Sequence, residues 1–560
     1  MSATAYLQRL VRKLEVKQVD SDGELSYSEG FLKNEDLYPV PPERRTWAML
    51  NYVSFWVTDG FNMNTWQIAA SMINAGLSWW QAWLCVWLGF GVAAPFVVLN
   101  ARPGAIFHIT FPVVSRASFG IWGSLWCILN RVAMACRHAW SLSYGVQASL
   151  GGSCVLVMLR AIWPSVENIP NSMPASSGTT TRDFMCFFLF WLISLPAIWL
   201  PLHKVRHLFT VKAIIVPIAI VTFFIWCIVK AHGVGPIVRQ PGTLHGSTLA
   251  WMMISRTMSC ISNISTLITY AWSPAFSVIW EDAHVYLFRN APDFASRARR
   301  PQDALWPQLI SMPLGFGIVC FLGIIVSSSS QTIYGEAIWS PITLLGTFLD
   351  DSPSHATRFA VWFISAAFVI AQNIRRGGYI AAIVGLCMLP WNVLKSSNYT
   401  TFVSAYSVFL SPIAGVMVTD YYIIHKGHYR VSDLYRPDKG GWYSYTYGIN
   451  LRAYAAYISG IVINVVGFAG AAGQPVSEAA IHIYDLSFFT GFAVSASIYW
   501  TLNQIFPAAG AAKTFQEVDH SGMISRIDGI HDPEEPEKTQ SGDELESDSK
   551  DGISEIVSTV

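Results

Sequence analysis

Charge is scarce in this sequence. Only 13% of its 560 residues are Asp, Glu, Lys or Arg, about half the ~25% a water-soluble domain carries. With 52% hydrophobic and 14% aromatic residues, the chain is not an ordinary soluble protein. Paired cysteines are also missing. The nine cysteines, such as Cys85, Cys127, Cys136 and Cys260, mostly sit inside apolar runs without ligand or disulfide spacing, so they read as small buried hydrophobes. No Walker-type glycine loop is present, which leaves ATP-driven transport unsupported. His203/His207 and His425/His428 lie in basic loops without a HExxH glutamate or further histidine clusters. No enzyme, metal or cofactor constellation emerges, and no nucleic-acid partner. The N-terminus carries Arg9, Arg12, Lys13 and Lys17 but no apolar core, so it is not a cleavable signal peptide. No alternating pattern suggests a β-barrel.

What the chain has is apolar runs near the ~20 residues that cross a bilayer. Twelve are marked: 47–72, 79–101, 117–152, 184–200, 208–230, 249–272, 308–330, 359–372, 378–394, 401–424, 451–470 and 485–506. The fold class is therefore an all-α polytopic membrane protein. Its expected organisation is a cytoplasmic N-terminal tail (1–46), a transmembrane domain (47–507) and a disordered acidic cytoplasmic tail (508–560). From Gln516 onward that tail holds thirteen acidic and three basic residues and no aromatics, too little to bury and order itself. Lys538 and Lys550 could accept ubiquitin from a ligase, although a plain solvated tail is the simpler reading. In the N-terminal tail, Pro39, Pro41 and Pro42 argue against helix.

Lys and Arg collect on the cytoplasmic side of membrane proteins. Counted from a cytoplasmic N-terminus, alternate loops carry Arg102 and Arg116; Lys204, Arg206 and Lys212; Arg289, Arg297, Arg299 and Arg300; Arg375 and Arg376; and Lys426, Arg430, Arg436 and Lys439. The opposite loops have few, and one holds Glu336, Asp350 and Asp351. Both termini are thus expected in the cytoplasm.

Two places fit poorly. Phe359–Ala371 is a run of only 13 residues, roughly 20 Å of helix, followed at once by Gln372, Asn373, Arg375 and Arg376. Trp272–Phe288 inserts Pro274, Glu281, Asp282 and His284 after the sixth run.

Polar residues inside the runs mark the candidate site. "WVTDGFNMNTW" places Asp59, Gly60, Asn62 and Asn64 about mid-way through the first span. An ionisable group at that depth normally faces a cavity or partner. The glycine and asparagines favour an unwound turn, tolerated in a membrane only against protein or water. Broken helices hold substrate and coupling ion in many secondary transporters, and Asp59 is the coupling-ion candidate. The competing reading is a polar patch that joins helices. The sixth span carries a similar expected interruption at "SCISNISTLITY", with Ser262 and Asn263. In the third span Ser143 and Gln147 are four apart and share a helix face, with Trp140 one turn earlier. Gln147 can donate to and accept from a planar heterocycle, or bond another helix instead.

Four stretches carry a family resemblance: "FLKNEDLYPVPPERRTW", "RNAPDFASRARRPQDALWPQLISMPLGF", "MLPWNVLKSS" and "VSDLYRPDKGGWYSYTYGINLRAYAAYISGI". In order over residues 30–507, the chain resembles the fungal uracil/allantoin permease branch of the nucleobase–cation symporter family. That resemblance implies twelve spans, a LeuT-like five-plus-five inverted repeat with two further C-terminal helices, and proton-coupled uptake of a nucleobase at the plasma membrane. Uracil is the first choice, with allantoin, uridine or thiamine as alternatives. In the family a tryptophan and a glutamine, four apart on the third span, stack on and hydrogen-bond the substrate. Gln147 matches the glutamine, whereas Ser143, beside Tyr144, stands at the tryptophan position. The family's polar eighth span holds a substrate-binding asparagine and small hydroxyl residues near the cation site. Here "FVIAQ" passes directly to "NIRRGGYI", so the expected eighth span is atypically short. An unspliced intron at Trp272–Phe288 and a skipped exon at Gln372–Asn373 would account for both departures. A non-transporting homologue is the remaining alternative.

Overall fold

The computed structural model describes Leu32 and residues 37–134, 140–199, 202–269, 291–350, 353–372, 406–438, 440–471 and 473–528. Two long helices form its axis. α3 (Trp79–Phe107) and α11 (Pro301–Tyr334) have 29 and 34 residues. At 1.5 Å per residue they run roughly 44 and 51 Å, beyond a ~30 Å hydrocarbon core. They pack face to face: Phe90 stacks on Phe316 at 3.9 Å, and the Trp83 indole donates to the Gly317 carbonyl at 2.9 Å.

Around this pair stand α1 (Met49–Gly60), α2 (Met63–Asn74), α8 (Leu202–Ala231), α9 (Gly246–Thr269) and the short α10 (Ala291–Ala295). A second group comprises α6 (Trp140–Ile162), α7 (Thr181–Trp199) and α13 (His355–Gln372). A third comprises α14 (Tyr406–Thr419, continued by a π-helical turn to Ile424), α15 (Leu451–Ala471), α16 (Glu478–Asp485) and α17 (Ser487–Ile505). Among the described residues five helical stretches are long and apolar enough to cross a membrane, and a sixth is the α16–α17 pair, bent by 79°. Their outward faces carry exposed apolar side chains such as Leu84 and Leu88, Ile214 and Ile218, and Ile458 and Val462. Lipid, not water, is the solvent such faces suit.

The two halves repeat one local sequence of elements. α3 is followed by the short α4 (Phe111–Phe119), which has Pro112 in its first turn, and then α5 (Ser124–Met134). α11 is followed by the short α12 (Pro341–Thr347), opened by Pro341, and then α13. Proline suits a first turn because its missing N–H has no partner there to lose.

Several expectations change. The third span does not start at 117. Gly120, at φ 90°, ends α4, and only glycine fits there, since a Cβ would lie 2.5 Å from the Gly448 carbonyl oxygen. The chain then resumes as α5 and α6. α9 runs unbroken through Ser259, Ser262 and Asn263 to Thr269, so no interruption occurs at those positions. The stretch contains neither Gly nor Pro, and a serine in a helix can bond back one turn, as Ser259 does to the Ser255 carbonyl at 3.0 Å. α13 begins at His355, four residues before the apolar run, and its 18 residues rise roughly 27 Å. Trp272–Phe288, the Gln372–Asn373 join and the expected span 378–394 lie outside the described residues.

One end of the bundle gathers both tails. Val40 N–H donates to the His108 carbonyl, Trp47 N–H to that of Arg297, and Arg299 N–H to that of Trp47. Arg116, fully buried, donates to the Leu434 carbonyl at 2.9 Å. Tyr38 stacks on Tyr435. Pro42–Arg44 form a single 3-10 turn that starts on the proline. The tail beyond residue 508 is not structureless in its first twenty residues. β2 (Val518–Asp519) pairs in parallel with β1 (His428–Tyr429), and α18 (Met523–Asp528) follows. Glu517 binds Arg102 at 2.6 and 3.1 Å and accepts from the Tyr421 hydroxyl at 2.7 Å. Asp519 accepts from the backbone N–H of Val431, Ser521 and Ile524. Counted by composition these carboxylates only solvate; in place they are anchors. Lys538 and Lys550 lie outside the described residues.

Candidate functional site: a broken first helix seated on the central pair

The first span is two helices. α1 stops at Gly60 and α2 starts at Met63. Between them Phe61 N–H still donates to the Val57 carbonyl, and Asn62 N–H donates to that of Gly60. Asn62 is the N-cap of α2: its side-chain oxygen accepts from Thr65 N–H at 3.0 Å. Its amide nitrogen donates to the Asp59 carbonyl. One side chain therefore ties the end of α1 to the start of α2 and satisfies a group on each. Asp59 and Asn62 are buried.

α11 is shaped to receive both halves. A Cβ on Gly60 would meet the Gly315 carbonyl carbon at 3.0 Å, and one on Gly323 would meet the Trp66 carbonyl oxygen at 2.9 Å. The Trp56 indole donates to the Gln308 side chain at 3.2 Å. The Cys320 thiol donates to the Thr65 carbonyl at 3.1 Å. On the other side, Thr58 bonds both the Ser54 carbonyl and the Phe209 carbonyl of α8.

The break also touches α6, where the Cys154 thiol lies 3.9 Å from the Met63 sulfur. Positions 147 and 154 are seven apart and so fall on one face of α6. Ser143 and Gln147 belong to the same helix, but their side chains lie outside the described residues. So do those of Asn64, in the first turn of α2, and Asn263 on α9. Ser262 is buried on the helix whose Met258, Cys260, Ile261 and Ile264 share a core with Trp56, Phe90 and Phe316. The structure thus seats the break on α11, brings α6 to it at Met63, and packs α9 against α3 within the same core.

A broken helix presents two unlike ends to one place. The carbonyl end of α1 favours cations and the N–H end of α2 favours anionic or electron-rich groups. Among the described residues no group of three metal-ligating side chains is found.

Sequence reasoning missed Gln308, and it missed a buried network at the far end of α14. There Asp420 accepts from the Tyr499 hydroxyl at 2.7 Å and lies 3.2 Å from the His425 ring. Asn450 donates to the same hydroxyl at 3.2 Å. An aspartate in the last turn of an apolar span was the visible signal.

The sequence profile described as a permease for cytosine/purines, uracil, thiamine and allantoin matches residues 39–279 and 277–491. The chain belongs to this family. The two matched pieces meet inside Trp272–Phe288. The chain is 45% identical over 513 residues to an uncharacterized permease of Schizosaccharomyces pombe, covering 87% of this chain and 82% of that one. It is 40% identical to the allantoin permease of Saccharomyces cerevisiae, covering 92% and 82%, and 39% identical to that organism's uracil permease, covering 91% and 82%. The backbone matches Mhp1, a nucleobase-cation-symport-1 family transporter, closed with bromovinylhydantoin bound. The TM-score is 0.61 at 17% identity, over 89% of this chain and 99% of that one. The chain therefore has the fold of Mhp1 and is a multi-pass membrane permease of this family, not an enzyme.

Proposed function

We propose that the protein imports uracil together with a proton across the plasma membrane, with both termini in the cytoplasm. The observation that carries this reading is the first helix, broken at Phe61–Asn62 and seated on α11, in a chain of the permease family. Asp59 takes the coupling proton. Asn62, Asn64 and Gln147 bind the substrate edge, while Ser143, Ser262 and Asn263 complete the pocket from α6 and α9. The basic loops support this orientation: those with Arg102 and Arg116, with Arg297 and Arg299, and with Arg430 lie with both tails at one end, and an excess of Lys and Arg marks cytoplasmic loops.

Allantoin and uridine are alternative substrates, because relatives of similar identity include allantoin, uracil and uridine permeases, and thiamine is a further one from the family's range. A reading without transport has one specific support, the 13-residue apolar run that ends at Ala371 with Arg375 and Arg376 close behind. Radiolabelled uptake of uracil, allantoin, uridine and thiamine in a yeast lacking its own permeases separates these readings. In a form with a family-like eighth span at the Gln372–Asn373 join and without Trp272–Phe288, uracil should accumulate, more at acidic external pH. In that form Asp59→Leu and Asn64→Leu should abolish uptake at unchanged surface expression. Full uptake by both variants would return these residues to a helix-joining role.

A further inference from the structure

At the end of the bundle that gathers both tails, the last turns of α3 and the first turns of α11 enclose a cleft of about 510 Å³. Arg102 and Ile106 line it from α3, Gln302 and Trp306 from α11, Arg300 from the residue before α11, and Glu517 from the tail. We propose that this cleft binds the phosphate-bearing headgroup of an anionic membrane lipid, and that Glu517 is the internal anion the lipid displaces.

The charge fits. Two guanidiniums face one space, and guanidinium is the side chain best matched to phosphate. Arg102 is held by Glu517 at 2.6 Å. Arg300 has no ion-pair partner among the described residues and caps the N-terminal end of a 34-residue helix, whose dipole adds partial positive charge. Asp303, on the same turn, does not line the cleft. Glu517, one residue before β2, shows that a carboxylate is accepted beside Arg102, and an anion that replaces it has to break only its bonds to Arg102 and the Tyr421 hydroxyl while the strand stays in place.

The choice of a lipid over a soluble phosphate rests on what leads out of the cleft. Trp306, Ile310, Leu314 and Ile318 follow at four-residue spacing along α11, exposed by 62%, 63%, 46% and 39%. That stripe begins at a cleft wall and runs along the span. It provides apolar surface for acyl chains directly below a basic headgroup pocket, with a tryptophan at the boundary where interfacial tryptophans sit. Basic residues near a membrane surface each strengthen attraction to anionic lipid by about fivefold.

The leaflet, though not the site, rests on the orientation proposed above, so the test reads lipid retention and no transport. The full chain, purified in detergent, is titrated with dioleoylphosphatidylserine and followed by native mass spectrometry. Dioleoylphosphatidylcholine is the neutral control and glycerophosphoserine the headgroup without chains. Phosphatidylserine should be retained about tenfold or more over phosphatidylcholine. Arg102→Gln combined with Arg300→Gln should reduce it to the phosphatidylcholine level, while Arg300→Lys should keep the preference. Glu517→Gln should raise retention about fivefold. Equal retention of the two lipids, or wild-type retention by the double variant at wild-type gel-filtration behaviour, overturns the proposal. Displacement by glycerophosphoserine at the concentration at which the lipid binds also overturns it, by showing a soluble-anion site.

Discussion

Asn62 offers the most direct test of how the first helix is held. Its side chain makes two bonds across the break, accepting from Thr65 N–H at 3.0 Å and donating to the Asp59 carbonyl. Asn62→Ala removes both. Each is worth about 1 kcal/mol net, so the first turn of α2 should lose about 2 kcal/mol of protection, roughly thirtyfold in local opening. Asn62→Ser keeps a capping oxygen but cannot reach back to Asp59, and should lose about 1 kcal/mol, roughly fivefold. Hydrogen exchange by mass spectrometry on the protein in lipid nanodiscs reads this directly, in peptides covering residues 61–72. Protection should rank Asn above Ser above Ala there and stay level in α15, which is remote from the break. Equal protection of the Ala and Asn forms would show that α11 alone fixes the break. A loss spread evenly over the chain would show that Asn62 acts on global stability rather than as a local tie.

Gln147→Ala should weaken substrate binding about 5- to 150-fold, as loss of a roughly 1–3 kcal/mol contact requires; Gln147→Glu, which only accepts, should alter the inhibition profile of a nucleobase panel, and unchanged profiles in both would remove Gln147 from the site. The tail strand should loosen in acid. His520 pairs with His428 at 2.8 Å, and its pKa is lowered by burial first and by the His428 ring second, so it binds fewer protons folded than unfolded. Its contribution is complete above about pH 6.5 and fades as pH falls from there through its own lowered pKa; limited proteolysis of the tail should therefore quicken from pH 7.5 to 5.5, and His520→Ala should flatten that dependence. The chain as written should transport poorly and remain in the endoplasmic reticulum, since a span that pulls Arg375 and Arg376 inward costs several kcal/mol. Replacing the Gln372–Asn373 join by a family-like eighth span and deleting Trp272–Phe288 should restore surface fluorescence and uptake together, and robust uptake by the unmodified chain would refute the reasoning.

The membrane class and the broken first helix were legible because each rests on a local rule. Apolar length alone marks α3 and α11, and Asp-Gly-Phe-Asn inside an apolar run already violates helix economy. The sixth span shows the limit of that rule. Ser259 and Ser262 look like the polar break of the first span, yet α9 continues, because serine satisfies itself on the carbonyl one turn back and lacks the backbone freedom of Gly60. The ordered start of the acidic tail was illegible for a different reason. Composition counts Glu517 and Asp519 as two more charges, while their effect depends on Arg102 and the Val431 amide, which lie 415 and 88 residues away in sequence. The Gln308 contact to Trp56 is hidden in the same way, since its partner is 252 residues distant.

The anchoring of the two half-helices explains why a break is more useful here than a straight span. The start of α1 is tied to the loop before α11: Trp47 N–H bonds the Arg297 carbonyl and Arg299 N–H bonds that of Trp47. The end of α2 is tied instead to the segment before α9, where Thr243 N–H bonds the Gly76 carbonyl at 2.9 Å. A continuous helix held at those two points would transmit any movement of one anchor to the other as a rigid rod. With the rod cut at Phe61–Asn62, a shift of one anchor relative to the other can be taken up by the backbone angles of Gly60, Phe61 and Asn62. Among larger side chains packed between the half-helices and α11, Gly315 opposite Gly60 and Gly323 opposite Trp66 let the backbones come close. On the reading proposed above, a proton or cation held at Asp59, near the end of α1, would contact the element whose position it must bias. Substrate at the N–H end of α2 would bias the other half. On that reading, coupling between the two ligands would need no wire longer than Gly60 and Phe61, the two residues between Asp59 and Asn62.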